Sequence, residues 1–162
     1  VASVSVLDRQ THQSFEVKAT AVVNAAGPWV DEIRQLNQSK QGKTLHLTKG
    51  VHIVLPYHRL PVRQAIYFDV PDGRMIFAIP RGRVTYVGTT DTDYTSDKGH
   101  VFTSKEDALY LVHAINETFP TVHITLADIE SSWAGLRPLI HEEGKSASEL
   151  SRKDEIFESP SG

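Results

Sequence analysis

The stretch TLHLTKGVHIVL, residues 44–55, decides the fold of this chain. Its apolar and polar residues alternate, which is the pattern of a strand whose successive side chains point to opposite faces. The apolar face comprises Leu45, Leu47, Val51, Ile53 and Leu55, and the polar face Thr44, His46, Thr48, Gly50 and His52. This division predicts a strand of an antiparallel sheet that buries one face in a core.

Further strands are predicted on either side of the helical segment that follows. Three lie near residues 64–69, 74–79 and 83–88, joined by VPDGR and IPRGR. In both joints a proline precedes a glycine by two positions, which suits a type I turn followed by a glycine with positive φ. Residues 44–88 therefore predict an antiparallel meander, and a last long strand is predicted over Ile129–Ile140.

One helix is predicted between these strands. Thr103 or Ser104 is placed as its N-cap, and Glu106 or Asp107 completes a capping box. Its buried stripe is Ala108, Leu111, Val112, Ile115 and Phe119. One helix packed on one antiparallel sheet makes an α+β layer, which is the predicted fold class.

The first 43 residues predict a smaller unit. Val4–Leu7 and Phe15–Val23 flank a polar stretch and predict a hairpin. The second arm leads into NAAGPW, where Gly27 and Pro28 are placed as N-cap and first helical residue. A short amphipathic helix with Val30, Ile33 and Leu36 on its buried side should follow. The small residues of NAAGPW suit either close packing or the approach of a ligand to the backbone.

Composition excludes several classes of protein. The chain has 162 residues, 40% of them hydrophobic, enough for one ordinary core. Its net charge of −3 argues against nucleic-acid binding. It has no cysteine, hence no disulfide or thiolate metal site. The chain begins in a strand-like pattern without methionine and ends on SRKDEIFESPSG, so we expect it to be a piece of a longer protein.

Histidine and arginine are the candidate functional residues. His46, His52 and His58 are equally spaced, but six residues of a strand span roughly 20 Å, so the spacing predicts no shared metal. His52 on the polar face is either a surface or hydrogen-bonded structural histidine, which is the simpler interpretation, or a proton acceptor. GTTD, residues 88–91, is either a plain strand end or an anion-binding group of hydroxyls and N–H donors.

Arg137 lies in SSWAGLRPLI, residues 131–140, among small and apolar residues. A charge there is costly to bury unless an anion pairs with it. That anion is either an internal acid such as Asp91 or Glu130, or a bound ligand. Arg152, in a polar stretch, is a solvated charge unless a ligand requires it.

Five motifs in register carry a resemblance to a known family. VVNAAGPWVD, LTKGVHIVLP, VGTTDTDY, SSWAGLRPL and LSRKDEIF occur in the order and spacing of FAD-dependent glycerol-3-phosphate dehydrogenases. This is a membrane-associated flavoenzyme family with a D-amino-acid-oxidase-like fold, and the resemblance covers nearly the whole chain. It implies a partial FAD-binding domain over 1–43, a substrate-binding cap over 44–140, and a return segment toward the FAD domain over 141–162.

The resemblance also implies roles for individual residues. His52 would be the base near the substrate hydroxyl, and Arg137 would lie beside the reacting carbon and the flavin. Thr89 and Arg152 would hold the substrate phosphate. The residues expected along the cofactor are Ala25, Ala26, Gly27 and Trp29. The resemblance then suggests that Arg137 faces a substrate cleft and that its anion is mostly the substrate.

The implied reaction is oxidation of sn-glycerol 3-phosphate to dihydroxyacetone phosphate, with hydride transfer to FAD and electrons passed to quinone at the cytoplasmic face of a membrane. One alternative is an oxidase that uses oxygen; another is that this chain alone is an inactive structural module. We expect the chain alone to hold no FAD, since it lacks the GxGxxG turn that cradles the pyrophosphate. We also expect strand edges near its ends to favour dimerisation.

Overall fold

The computed structural model describes residues 3–140 and 156–159 of the chain. Its strands, in order, are β1 (Ser3–Leu7), β2 (Ser14–Lys18), β3 (Leu45–Pro56), β4 (Ile66–Asp69), β5 (Met75–Arg81), β6 (Val84–Gly88), β7 (Thr92–Asp93) and β8 (Ser131–Ile140). Its helices are α1 (Val30–Leu36) and α2 (Lys105–Thr118), with 3₁₀ turns at Gly27–Trp29 and Leu126–Asp128. Two helices and antiparallel strands confirm the predicted α+β class.

Strand β3 is the centre of the main sheet. The sheet runs β4-β5-β6-β3, and β8 pairs with the other edge of β3. Because β8 covers that edge from Leu45 to Val54, β6 and the short β7 share the opposite edge. The turns before β5 and β6 contain Gly73 at φ +81° and Gly82 at φ +61°, as the two proline–glycine motifs predicted. The hairpin β1–β2 is a separate two-stranded sheet.

The two faces of β3 differ as predicted in its second half, whereas Leu45 and Leu47 are only partly buried and Thr48 on the polar face is fully buried. Val51, Ile53 and Leu55 on the apolar face are completely buried. The same core contains the stripe of α2, namely Ala108, Leu111, Val112, Ala114 and Ile115. Burial of each large side chain stabilises the fold by about 1.5–3 kcal/mol. The sheet therefore presents only its second face for binding or chemistry.

The start of α2 is fastened to β3 by a buried ion pair. Asp107 accepts hydrogen bonds from the Ser104 amide at 2.9 Å and from Lys49 Nζ at 2.5 Å. The Ser104 hydroxyl in turn accepts from the Asp107 amide, which completes the predicted capping box. Burial raises the pKa of Asp107, but the bonds from Lys49 and Ser104 outweigh burial, so the net shift is downward. This pair joins helix capping to helix–sheet packing.

Two predictions for the first 43 residues are wrong. The second hairpin arm ends at Lys18 rather than at Val23. Helix α1 forms, but Ile33 and Leu36 are 42% and 81% exposed, and Asp31 is its buried residue. Asp31 accepts hydrogen bonds from the Leu45 amide and from Arg34, so a polar anchor rather than the apolar stripe turns the helix toward β3.

Some of the predictions concern residues that the structure does not describe. Arg152 and most of the return segment 141–162 are among them, and the division between 1–43 and 44–140 stays a prediction. Among the described residues, no helix has the length and hydrophobicity needed to cross a membrane.

We expect Asp107→Ala to lower the free energy of unfolding by roughly 2–4 kcal/mol, because it removes a helix cap and leaves the Lys49 charge buried without its partner. The carboxylate pKa is lower in the folded chain, so its contribution is present above about pH 4 and is lost as pH falls through the lowered value. Urea unfolding at pH 7 and at pH 3 measures both effects.

The matched control is Glu117→Gln, on the exposed side of the same helix, which should change the free energy of unfolding by less than about 0.5 kcal/mol. Equal effects of the two substitutions at pH 7 would contradict the assigned role of the buried pair.

Candidate functional site

The polar face of β3 is continued by β8. In the antiparallel register, Thr48 lies opposite Arg137, Gly50 opposite Gly135, and His52 opposite Trp133. Directly opposed residues of antiparallel strands share a face. The predicted residues His52 and Arg137 therefore lie on the same side of the sheet, away from α2.

A β-bulge brings the GTTD segment to this face. His52 pairs with Gly88 and Lys49 pairs with Thr92, so two residues of β3 oppose three residues, 89–91, of the neighbouring segment. Such an extra residue redirects side chains and is frequent near active sites. Its middle residue, Thr90, is buried and bonded to the β3 backbone, whereas Thr89 and Asp91 are partly exposed.

Arg137 and Thr89 converge over Gly50. A Cβ built on Gly50 would lie 2.8 Å from Thr89 Oγ1 and 3.3 Å from Arg137 Nη2. The absence of a side chain at Gly50 thus makes room for a hydroxyl and a guanidinium. With His52 two residues further along the same face of β3, the structure brings together three of the four predicted catalytic and substrate-binding residues.

Arg137 has an internal acid as a partner. Its Nη1 donates to Asp91 Oδ1 at 2.5 Å, and the buried Thr48 hydroxyl donates to the same oxygen at 3.2 Å. Of the two acids considered from the sequence, Asp91 is the one that pairs, while Glu130 lies 3.7 Å from Arg83. The anion beside Arg137 in this structure is therefore Asp91, one of the two internal acids considered, and the expectation that the substrate supplies most of the negative charge stays a prediction.

The imidazole of His52 packs against two aromatic side chains. It stacks on Trp133 at 4.7 Å between centroids with 9° between planes, and Phe77 lies 5.4 Å away. Its Nδ1 is buried and has no hydrogen-bond partner among the described residues. Burial, and then the positive charge of Arg137, lower the pKa of His52. A lowered pKa favours the neutral imidazole near pH 7, which is the form able to accept a proton, and the role of His52 stays a prediction.

The NAAGPW segment lies at the outer edge of β8. Gly27 has φ +53° and is the first residue of the 3₁₀ turn, so the predicted N-cap position is wrong; Trp29 is the residue that precedes α1. This turn contacts β8, and a shallow cleft of about 340 Å³ separates Pro28 and Trp29 from Gly135. The open backbone at Gly27 suits a ligand that approaches closely.

Sequence reasoning missed Trp133 and Phe77, which enclose His52. The signal for Trp133 was available, because it is four residues from Arg137 on a predicted strand and therefore shares its face. Phe77 had no such signal, since its approach to His52 depends on the pairing of β5 with β6. Within the described residues, no cluster of three His, Asp or Glu side chains suits a metal ion.

A protein-family comparison matches residues 1–155 to the family described as DAO, FAD dependent oxidoreductase. The chain belongs to this family of FAD-dependent oxidoreductases. The predicted fold family and the FAD dependence of the family are thereby confirmed. The roles of individual residues stay predictions.

Relatives with high identity agree with this assignment. The aerobic glycerol-3-phosphate dehydrogenases of Staphylococcus aureus strains MRSA252 and USA300 are each 55% identical over 163 residues. Each match covers 100% of this chain and 29% of the relative, so the chain spans less than a third of the length of these proteins.

Two solved structures are similar. The glycerol-3-phosphate dehydrogenase from Bacillus halodurans complexed with FAD is 51% identical, with a TM-score of 0.87 over 99% of this chain and 30% of that one. Glycine oxidase from Bacillus cereus is 20% identical, with a TM-score of 0.55 over 77% of this chain and 32% of its own. The latter likeness shows the fold alone.

The glycines of this face provide a test of the packing around His52. A Cβ on Gly88 would lie 2.3 Å from His52 Cδ2, so Gly88→Ala should displace the ring and lower the free energy of unfolding by about 1–3 kcal/mol. A Cβ on Gly135 would meet nothing within 4 Å, so Gly135→Ala should change the free energy of unfolding by less than about 0.5 kcal/mol. Denaturant unfolding measures the free energy of both variants. Equal losses would disprove the close packing of His52 against Gly88.

We expect an NMR titration to give His52 a pKa below its ordinary value of about 6.5. Arg137→Met should raise that pKa, because it removes the neighbouring charge, but burial should keep it below 6.5. Since the unfolded chain takes up this proton first, the free energy of unfolding contributed by neutral His52 declines as pH falls below about 6.5. Arg83→Met, at an exposed position, is the control. If it shifted the pKa of His52 as much as Arg137→Met does, an effect specific to the charge of Arg137 would be excluded.

Proposed function

We propose that this chain provides the substrate-binding face of an FAD-dependent glycerol-3-phosphate dehydrogenase, which oxidises sn-glycerol 3-phosphate to dihydroxyacetone phosphate. The observation that carries the proposal is the convergence of Arg137 and Thr89 over Gly50, beside the neutral His52. The named relatives support the same substrate.

The charge of the face suits a phosphate ester. Glycerol 3-phosphate is a dianion near neutral pH, and a guanidinium binds such oxygens through a planar fork. Asp91 occupies Nη1 of Arg137, while Nη2 points toward Gly50. Thr89 contributes a hydroxyl next to the guanidinium. In this proposal, Thr89 and Arg152 hold the phosphate, and Arg137 lies beside the reacting carbon.

His52 removes the proton of the substrate hydroxyl. Its lowered pKa keeps the imidazole neutral at pH 7, which a proton acceptor requires. The stack on Trp133 fixes the plane of the ring and limits the directions from which the hydroxyl can approach. A base held in one orientation loses little entropy when the proton is transferred.

Arg137 stabilises the oxygen from which that proton leaves. Negative charge grows on this oxygen as its proton passes to His52 and before the hydride has left the carbon, so a fixed cation would bind this state more tightly than the neutral alcohol. Bound FAD supplies the acceptor for the hydride. The open surface at Gly135 and the NAAGPW turn, with Ala25, Ala26, Gly27 and Trp29, fit one side of such a cofactor.

The electron acceptor and the location are further parts of the proposal. The motif resemblance to a membrane-associated family favours quinone as acceptor at the cytoplasmic face of a membrane. Peroxide formation in air, measured against reduction of a water-soluble quinone, separates this proposal from the oxidase alternative. A flavin absorbance spectrum of the purified 162-residue chain tests whether the chain alone is an inactive module.

In the full-length, FAD-loaded enzyme of which we propose this chain is a part, we expect Arg137→Lys to lower kcat at least about a hundredfold with a smaller change in KM, because a point charge replaces the fork that meets the developing oxyanion. Steady-state oxidation of glycerol 3-phosphate with an artificial acceptor measures both constants.

The matched control is Arg83→Lys, whose side chain is 86% exposed. It should leave both constants within about twofold of the wild type. A KM effect without a kcat effect at Arg137 would assign this residue to phosphate binding instead. No oxidation by the wild-type enzyme would refute the proposed function.

A further inference from the structure

Thr90, the middle residue of the bulge at residues 89–91, is bonded to the backbone of β3 through its side-chain hydroxyl. Thr90 Oγ1 accepts a hydrogen bond from the Val51 amide and donates one to the Lys49 carbonyl, both at 3.1 Å. Thr90 is 1% exposed, so its hydroxyl is buried between the bulge and β3 and does not face the open surface.

The two neighbours of Thr90 are the residues that surround Arg137. Asp91 accepts from Nη1 of the guanidinium, and Thr89 Oγ1 lies near the same point over Gly50 as Nη2. Thr89 is itself constrained, because its hydroxyl donates to the Thr90 carbonyl at 3.0 Å. The height and rotation of both side chains therefore depend on where the bulge sits against β3.

From this arrangement we infer that Thr90 is a positioning residue, which sets the orientation of the Arg137 guanidinium through Thr89 and Asp91. The inference rests on the proposed function for its kinetic consequence. Thr90 itself touches no reacting atom. Replacing its hydroxyl with a methyl group is destabilising, because the Val51 amide and the Lys49 carbonyl would lose this hydrogen-bond partner.

A purely structural role is the competing explanation, and Thr85 offers a matched control. Thr85 is 0% exposed and its hydroxyl donates to the Leu60 carbonyl at 2.8 Å. It lies on β6 opposite Leu55, on the core face. Thr→Val at either position removes a buried, hydrogen-bonded hydroxyl, with one bond lost at Thr85 and two at Thr90, but only Thr90 is joined to the site.

The experiment compares Thr90→Val, Thr90→Ser and Thr85→Val in the FAD-loaded enzyme. Both valine variants should unfold at a lower denaturant concentration than the wild type. Thr90→Val should lower kcat/KM for glycerol 3-phosphate at least about tenfold, Thr85→Val less than about twofold, and Thr90→Ser should restore most of the loss. Equal kinetic losses in the two valine variants, or no rescue by serine, would overturn the inference.

A readout that needs no activity separates this inference from the proposed function. The side-chain ¹⁵N NMR signal of Arg137, assigned through Arg137→Lys, should shift in Thr90→Val and stay in place in Thr85→Val. If the signal is unchanged in Thr90→Val, the positioning role is wrong even in an active enzyme. If the wild type fails to oxidise glycerol 3-phosphate but the signal shifts only in Thr90→Val, the proposed function fails and the positioning role stands.

Discussion

The ten-residue antiparallel register between β3 and β8 is the constraint on which the site depends. It places Thr48, Gly50 and His52 opposite Arg137, Gly135 and Trp133. A slip of one residue would turn every side chain of one strand to the other face. The slipped strand would expose apolar residues and bury Arg137 against the core, so the same hydrophobic alternation that drives folding also assembles the site.

Electrostatics on this face are arranged around a single guanidinium. Asp91 compensates part of the charge of Arg137, and the remaining positive potential contributes to the low pKa of His52. A cation that is fixed by an acid on one side and open on the other keeps its orientation when a ligand is absent. Burial of His52 and then the charge of Arg137 lower the pKa of the imidazole. In the proposed function, one guanidinium would therefore both bind an anion and help to maintain a proton acceptor.

Periodicity and turn chemistry predicted the strands of the sheet, but the meander predicted over residues 44–88 is wrong for β3, which pairs with β6 rather than with β4. The faces of the second half of β3, the capping box at Ser104 and the glycines at 73 and 82 all follow from local patterns, and all were confirmed. The sharing of one face by His52 and Arg137 was also predictable, but the bulge was not, because it depends on a mismatch between two distant pairings. The buried side predicted for helix α1 was wrong for a related reason. The orientation of the helix is set by the hydrogen bonds that Asp31 accepts from Leu45 and Arg34, and its apolar stripe meets no core among the described residues.

Alternate residues of β3 face opposite sides of the sheet, so the residues that stabilise the core and the residues of the candidate site lie on different faces. On one face, Val51, Ile53 and Leu55 pack against α2 and Lys49 pairs with Asp107. On the other, glycines at 50, 88 and 135 give up packing area, which weakens a sheet but leaves room for an imidazole, a guanidinium and a ligand. The core face stabilises the fold enough to tolerate this loss, and the bulge at 89–91, between β6 and β7, brings Thr89 and Asp91 to the site face.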